Sequence, residues 1–99
     1  MTLKDIEKFL QVIDNAIITC EEKSLSDIEV DVLIGSLNGE KYEDIADRSN
    51  YTHGYISKYV AFRLWRKLSK ALGETVRKKN IKIVVRRTVN GYQHNSINN

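Results

Sequence analysis

The sequence predicts an all-α fold, a bundle of four to five helices with a long helix at its N-terminus. Three observations lead there. The 99 residues contain no proline, the residue that breaks helix interiors. Apolar residues recur at spacings of three and four along most of the chain, the period of a helix with one buried face. Ser, Thr, Asn and Gly stand where such helices need caps and stops. A chain of this length makes one domain with a core of its own, expected over residues 1–89, with the core running from 25 to 88.

The first helix is expected from about Leu3 to Glu22. Leu3, Ile6, Leu10, Ile13, Ile17 and Cys20 form its apolar seam, and Thr2 with Asp5 three residues on is an N-cap pair. The seam spans nearly three heptads, so it can pack on its own domain or pair with a second copy; a homodimer through this helix is one expected arrangement. Phe9, Val12 and Ile18 widen the apolar surface, which suits a helix with more than one neighbour.

The second helix has the clearest start. Ser26 and Glu29 form a capping box, and Leu25 and Val30 bracket it as a hydrophobic staple. It runs to about Leu37, burying Ile28, Val32, Leu33 and Leu37, and Asn38-Gly39 closes it. A third helix covers Lys41 to Ser49. A fourth starts after Thr52 and reaches Leu72, with Ile56, Val60, Leu64, Leu68 and Leu72 at intervals of four, Trp65 adding bulk and Gly73 as the stop. Beyond Gly73 the pattern is ambiguous. Ile81, Val84, Val85 and Thr88 suit a helical face, whereas Ile81, Ile83 and Val85 alternate like a strand. A fifth helix from about Arg77 to Thr88 is preferred over a hairpin wing ending near Asn90-Gly91. Residues 90–99, NGYQHNSINN, are uncharged and aperiodic and read as a disordered tail or linker.

The stretch Tyr42 to Ala61, YEDIADRSNYTHGYISKYVA, carries the spacing of a helix-turn-helix. Ala46 is small enough for a second helix to cross closely. Ile45 and Ile56 meet across the crossing. Asn50 falls at a turn that needs left-handed backbone, which Asn tolerates. Thr52 caps the second helix. Tyr51 and Tyr59 are expected as further apolar anchors.

The net charge of +3 conceals a division within the chain. Residues 1–50 carry five Lys/Arg against twelve Asp/Glu, and residues 51–99 carry eleven against Glu74 alone. The basic half begins just after the turn of the motif, where positive charge attracts a phosphate backbone. Double-stranded DNA is therefore the expected partner, read by the helix after Thr52 in the major groove. Thr52, His53, Gly54, Ser57, Lys58 and Ala61 stand at its leading part. Lys58 is the candidate donor to guanine, Ser57 can bond a base or a phosphate, and Gly54 permits close backbone approach. Lys41, Arg48 and Arg63 are candidate phosphate contacts, with Lys78 and Lys79 holding phosphates on a flank.

Enzymatic readings find little. His53 and His94 lie far apart, no Cys/His cluster has metal-ligand spacing, and no glycine-rich phosphate loop exists. No catalysis, cofactor or metal is expected. Cys20 is the only cysteine and reads as a small buried apolar residue. With no signal-peptide run and no membrane-spanning stretch, a cytoplasmic protein is expected, with no membrane partner.

The run LSDIEVDVLIGSLNGEKYEDIADRSNYTHGYISKYV resembles LuxR-type and sigma-factor region-four domains in layout. GYIS followed by LWRKLSKALGETVRKKNI is similar to the N-terminal domain of bacterial vWA-MoxR-associated proteins, most specifically over Leu64 to Gly73. The resemblance covers about Leu25 to Arg87 and leaves the first helix as an addition. It implies an all-helical domain, of a kind assigned as DNA-binding mainly by fold, while the motif spacing and the charge division point to a transcriptional regulator that binds specific DNA sequences. It also implies an alternative, a protein-interaction module that recruits a signalling NTPase partner.

Overall fold

Each of the first two helices begins where a side chain satisfies its free amides. In the computed structural model, which describes residues 1–20 and 22–98 with side-chain surroundings as far as Gly91, α1 covers Leu3–Thr19. The Asp5 amide donates to Thr2 Oγ1 at 3.2 Å, and the Thr2 amide donates back to Asp5 Oδ2 at 3.4 Å. α2, Asp27–Leu37, opens the same way on Ser26 and Glu29. α3 covers Tyr42–Ser49. A π-helical segment, Tyr55–Val60, runs without a break into α4, Ala61–Leu72. α5 covers Ile81–Asn98. No strand occurs among the described residues, so the chain after Gly73 forms a helix and not a wing.

Two boundaries differ from expectation, each for a local reason. α1 stops at Thr19 and not at Glu22. The Glu22 amide folds back to the Ile17 carbonyl, and its carboxylate turns to Lys70 at 3.0 Å and Arg66 at 3.5 Å on α4. α5 starts at Ile81 and not at Arg77, because Asn80 holds the preceding turn. Its Oδ1 accepts the Arg77 amide and its Nδ2 donates to the Thr75 carbonyl, both at 2.8 Å. The backbone of α5 then continues through Asn90-Gly91 to Asn98, across residues expected as a tail. That stretch holds no proline, and its one glycine weakens a helix without stopping it. The side chains from Tyr92 onward, His94 among them, lie outside the described residues.

α4 is the middle of the bundle. α1 lies across it and against α5, while α2 contacts α3, the π segment and α4. The core gathers Phe9, Ile13 and Ile17 from α1, Val32 and Leu33 from α2, Ile45 from α3, Leu64 and Leu68 from α4, and Ile81 and Val85 from α5, all excluded from solvent. Val76 plugs the loop between α4 and α5, its amide donating to Ser69 Oγ at 2.8 Å. Of the α1 seam that invites pairing with a second copy, Ile6, Ile13 and Ile17 are therefore buried within their own domain, while Leu10 and Cys20 are half-buried. Only Leu3 and Ile18, near its two ends, keep large exposed apolar side chains on α1.

Two contacts fix α2. Gly35 is buried where α3 approaches, and a Cβ placed there would stand 2.7 Å from Ile45 Cδ1 and 2.8 Å from Glu40 Oε1. Glu29, the third helical residue of the capping box, is buried and accepts the Lys67 ammonium from α4 at 2.9 Å. Burial pushes its carboxyl upward, but the hydrogen bonds from Ser26 and Lys67 outweigh this and leave it below the ordinary glutamate value of 4.5.

Candidate nucleic-acid interface

Asn50 makes the turn between α3 and the next helix, with φ 62° and ψ 33°. Among the described residues it is the one non-glycine with positive φ, a conformation Asn adopts at low cost. The chain closes through the Tyr51 amide onto the Ala46 carbonyl at 3.1 Å. Thr52 Oγ1 then accepts the Tyr55 amide at 3.1 Å and caps the following helix. Ile45, Ala46 and Ile56 are buried under the crossing. The helix-turn-helix is thus built by the residues that its spacing singled out.

The following helix departs from expectation at Ala61 and at the tyrosines. The Ala61 amide bonds the Ile56 carbonyl, five residues back, so the turn is wider than an α-turn. Ala61 is 2% exposed and faces the core, which removes it from any DNA contact. Tyr51 and Tyr59, expected as anchors, are 46% and 63% exposed, because Ile56, Val60 and Leu64 already fill the buried side. Tyr55, at 37%, lies between them, and Phe62, at 64%, follows one turn on. The three tyrosines form a file. Tyr51 and Tyr55 stack with ring centroids 5.1 Å apart and planes 20° apart, and Tyr55 and Tyr59 stand 6.0 Å apart at 36°.

The remaining site residues separate into groups. His53, from the start of the helix, lines a shallow cleft with Lys41 from its N-terminal flank of α3 and Lys78 from the loop before α5; Tyr42 and Glu43 complete it. Tyr42 organises this corner. Its hydroxyl accepts Trp65 Nε1–H at 2.9 Å, and Lys78 Nζ stands 5.5 Å above its ring centroid, within cation–π range. Burial raises the Tyr42 pKa above its ordinary 10.0 despite the Trp65 hydrogen bond. Gly54 is exposed, and a Cβ there would meet no atom within 4 Å, so close approach from outside is sterically open. Ser57 is half-buried and Lys58 exposed.

Arg63 lines a second cleft, with Arg66, Lys67, Glu22 and Glu29. Arg48 is committed elsewhere. Its guanidinium donates to both carboxylate oxygens of Glu40, at 3.1 and 2.9 Å, and stands 3.7 Å from Asp31. Among the described residues, Lys41, Lys58, Arg63, Lys78 and Lys79 make no ion pair with an acidic side chain. Cys20 is half-buried, with its sulfur 3.9 Å from the Lys70 carbonyl oxygen. No group of three His, Cys, Asp or Glu that could hold a metal exists among the described residues. No described helix is long and apolar enough to cross a membrane.

Residues 4–88 match the family described as vWA-MoxR associated protein N-terminal HTH. The chain belongs to that family. No curated protein and no solved structure matches it. The vWA-MoxR associated HTH match begins at residue 4 and so includes α1, which is part of the family's span and not an addition in front of it. This agrees with the packing, since α1 supplies Phe9, Ile13 and Ile17 to the core of the HTH domain. Sequence reasoning missed Tyr55 and Phe62 as surface residues and Lys67 as the partner of Glu29. The aromatics had a signal in their spacing of three and four residues, but that spacing fits a buried stripe equally well.

Proposed function

We propose that this HTH domain binds double-stranded DNA without catalysing a reaction, as the sequence-reading part of a transcriptional regulator. The start of the helix after Thr52 enters the major groove. The observation that carries the reading is the meeting of His53, Lys41 and Lys78 at one cleft. It brings the leading end of the helix, at His53, beside Lys78 of the C-terminal basic cluster. Lys58 and Ser57 then reach base edges, and Lys41, Lys78 and Lys79 neutralise phosphates. Thr52 keeps its hydroxyl hydrogen to donate while its oxygen caps the helix. Arg48 contributes little, because Glu40 already neutralises it.

Titration of a fluorescent duplex pool at two salt concentrations tests this. Binding is expected to weaken with salt, and Lys41→Ala and Lys78→Ala each to flatten the log–log slope by about 0.9. Absence of salt-sensitive binding, or indifference to Lys58→Ala combined with Ser57→Ala, would overturn it. A second reading, a module that recruits a signalling protein, is favoured by one observation, the exposed aromatic file on the same helix.

A further inference from the structure

The outward side of the π segment and early α4 carries more aromatic surface than duplex reading needs. Tyr51, Tyr55, Tyr59 and Phe62 are all exposed there, over less than four helical turns. Lys58 lies beside Tyr59 in sequence, and Arg63 beside Phe62; both are exposed, with no acidic partner among the described residues. Aromatic anchors interleaved with uncommitted cations form a surface with a definite complement. We propose that this face docks an acidic protein segment, one that offers aliphatic or aromatic side chains to the rings and carboxylates to Lys58 and Arg63.

Three physical arguments select this occupant. The first concerns ring geometry. A single-stranded nucleic acid binds aromatic side chains by laying a base on a free ring face. Here Tyr51 and Tyr55 are stacked 5.1 Å apart and Tyr59 follows at 6.0 Å, so the facing sides of the rings cover one another. Edges and hydroxyls of tyrosine are what protein interfaces bury, with an apolar body and a polar tip. The second argument is charge. A symmetric pairing of this face with its counterpart on a second copy would set Lys58 and Arg63 against like charges, whereas an acidic segment meets both. The third is continuity. Arg63 also lines the neighbouring cleft, where Arg66 and Lys67 already pair with Glu22 and Glu29, so Arg63 carries positive charge to the mouth of that cleft without an acidic partner among the described residues.

This docking face shares Lys58 with the proposed DNA-reading surface, but Tyr59 and Phe62 lie outside the Lys41–His53–Lys78 cleft, so substitutions of the aromatic side chains distinguish its failure from failure of DNA binding. The probes are a fluorescein-labelled synthetic helical peptide with Leu and Phe at spacings of three and four and Glu between, the same peptide with Lys for Glu, a 20-nucleotide oligo-dT, and a 20-base-pair duplex. The acidic peptide is expected to bind saturably and to shift the ring resonances of Tyr55, Tyr59 and Phe62 in NMR spectra. The Lys peptide is expected not to bind. Tyr59→Ser and Phe62→Ser should each weaken the acidic peptide about tenfold, while leaving helicity by circular dichroism and affinity for the duplex unchanged. Three results would each overturn the proposal: no saturable binding of the acidic peptide, equal binding of the Lys peptide, or larger ring shifts with oligo-dT. Unchanged peptide affinity in both serine variants, with helicity intact, would also remove the aromatic file from the interface.

Discussion

On one side of the helix that runs from His53 to Leu72 stand Ile56, Val60, Leu64 and Leu68, none of them reached by solvent; on the other stand Tyr55, Tyr59 and Phe62, all exposed. Both sides are rich in carbon, yet the residue types differ. Branched aliphatic side chains interdigitate with α1 and α2 and have no polar atom to satisfy. Tyrosines tolerate water at the hydroxyl while offering a flat apolar body to a partner. Burial of a hydrophobic side chain and display of one are thus separated along a single helix, and residue chemistry tells which side serves stability and which serves contact.

The comparison breaks if the two sides respond alike to truncation. Leu64→Ala is expected to destabilise the domain by about 2–5 kcal/mol, through lost burial and an unfilled cavity. Phe62→Ala, two residues away, should stay within about 0.5 kcal/mol of the parent. Urea denaturation of both variants measures the contrast, and equal losses would refute it. A sharper probe lies at the far edge of the buried side. Glu29→Gln keeps an N3 side chain able to bond Ser26 but removes the charge opposite Lys67, at an expected loss of about 1–3 kcal/mol at neutral pH. The sign of its pH dependence follows from the lowered carboxyl pKa. The native contribution is fully present above 4.5 and is lost as pH falls through the lower folded value. The stability gap between Glu29 and its Gln variant should therefore close below 4.5, as thermal unfolding at several pH values would show. A smaller loss than at Leu64 or Glu29 is expected at Gly35. Alanine there improves helix propensity by about 1 kcal/mol but forces Ile45 and Glu40 aside, which costs about 1–3 kcal/mol. A net loss near 1 kcal/mol is expected, and a stabilised variant would show that the α2–α3 approach is looser than its distances indicate.

Features settled within a few residues were legible in the sequence. Thr2 with Asp5, Ser26 with Glu29, Asn50 at the turn and Thr52 at its cap all bond partners no more than four residues away, and each does what its type and position imply. The helix-turn-helix and the all-α fold followed from them. What depended on distant partners was hidden. Lys67 meets Glu29 across 38 residues, and Gly35 matters because of Ile45 on the next helix. The aromatic file escaped for another reason. Periodicity of three and four assigns Tyr59 to a face only if the helix winds regularly, and the π segment breaks that assumption. Of the residues singled out on charge and position, His53, Lys41 and Lys78 line one cleft, which their separation in the chain does not reveal, while Ala61 is turned inward and Arg48 is paired.

The irregular winding at Tyr55–Val60 also divides the helix into two rotational phases. In an α-helix each residue turns about 100° from the last, so the direction of every side chain is tied to that of every other. A wide turn slips this tie. His53 and Gly54 can face outward at one azimuth while Leu64 and Leu68 keep the azimuth that α1 and α2 require. Winding the same residues as regular α-helix would restore a single phase and swing one end relative to the other by roughly a quarter turn. Either the core or the outward end would then point the wrong way, so the winding of this short stretch acts as a setting of direction, independent of which side chains it carries.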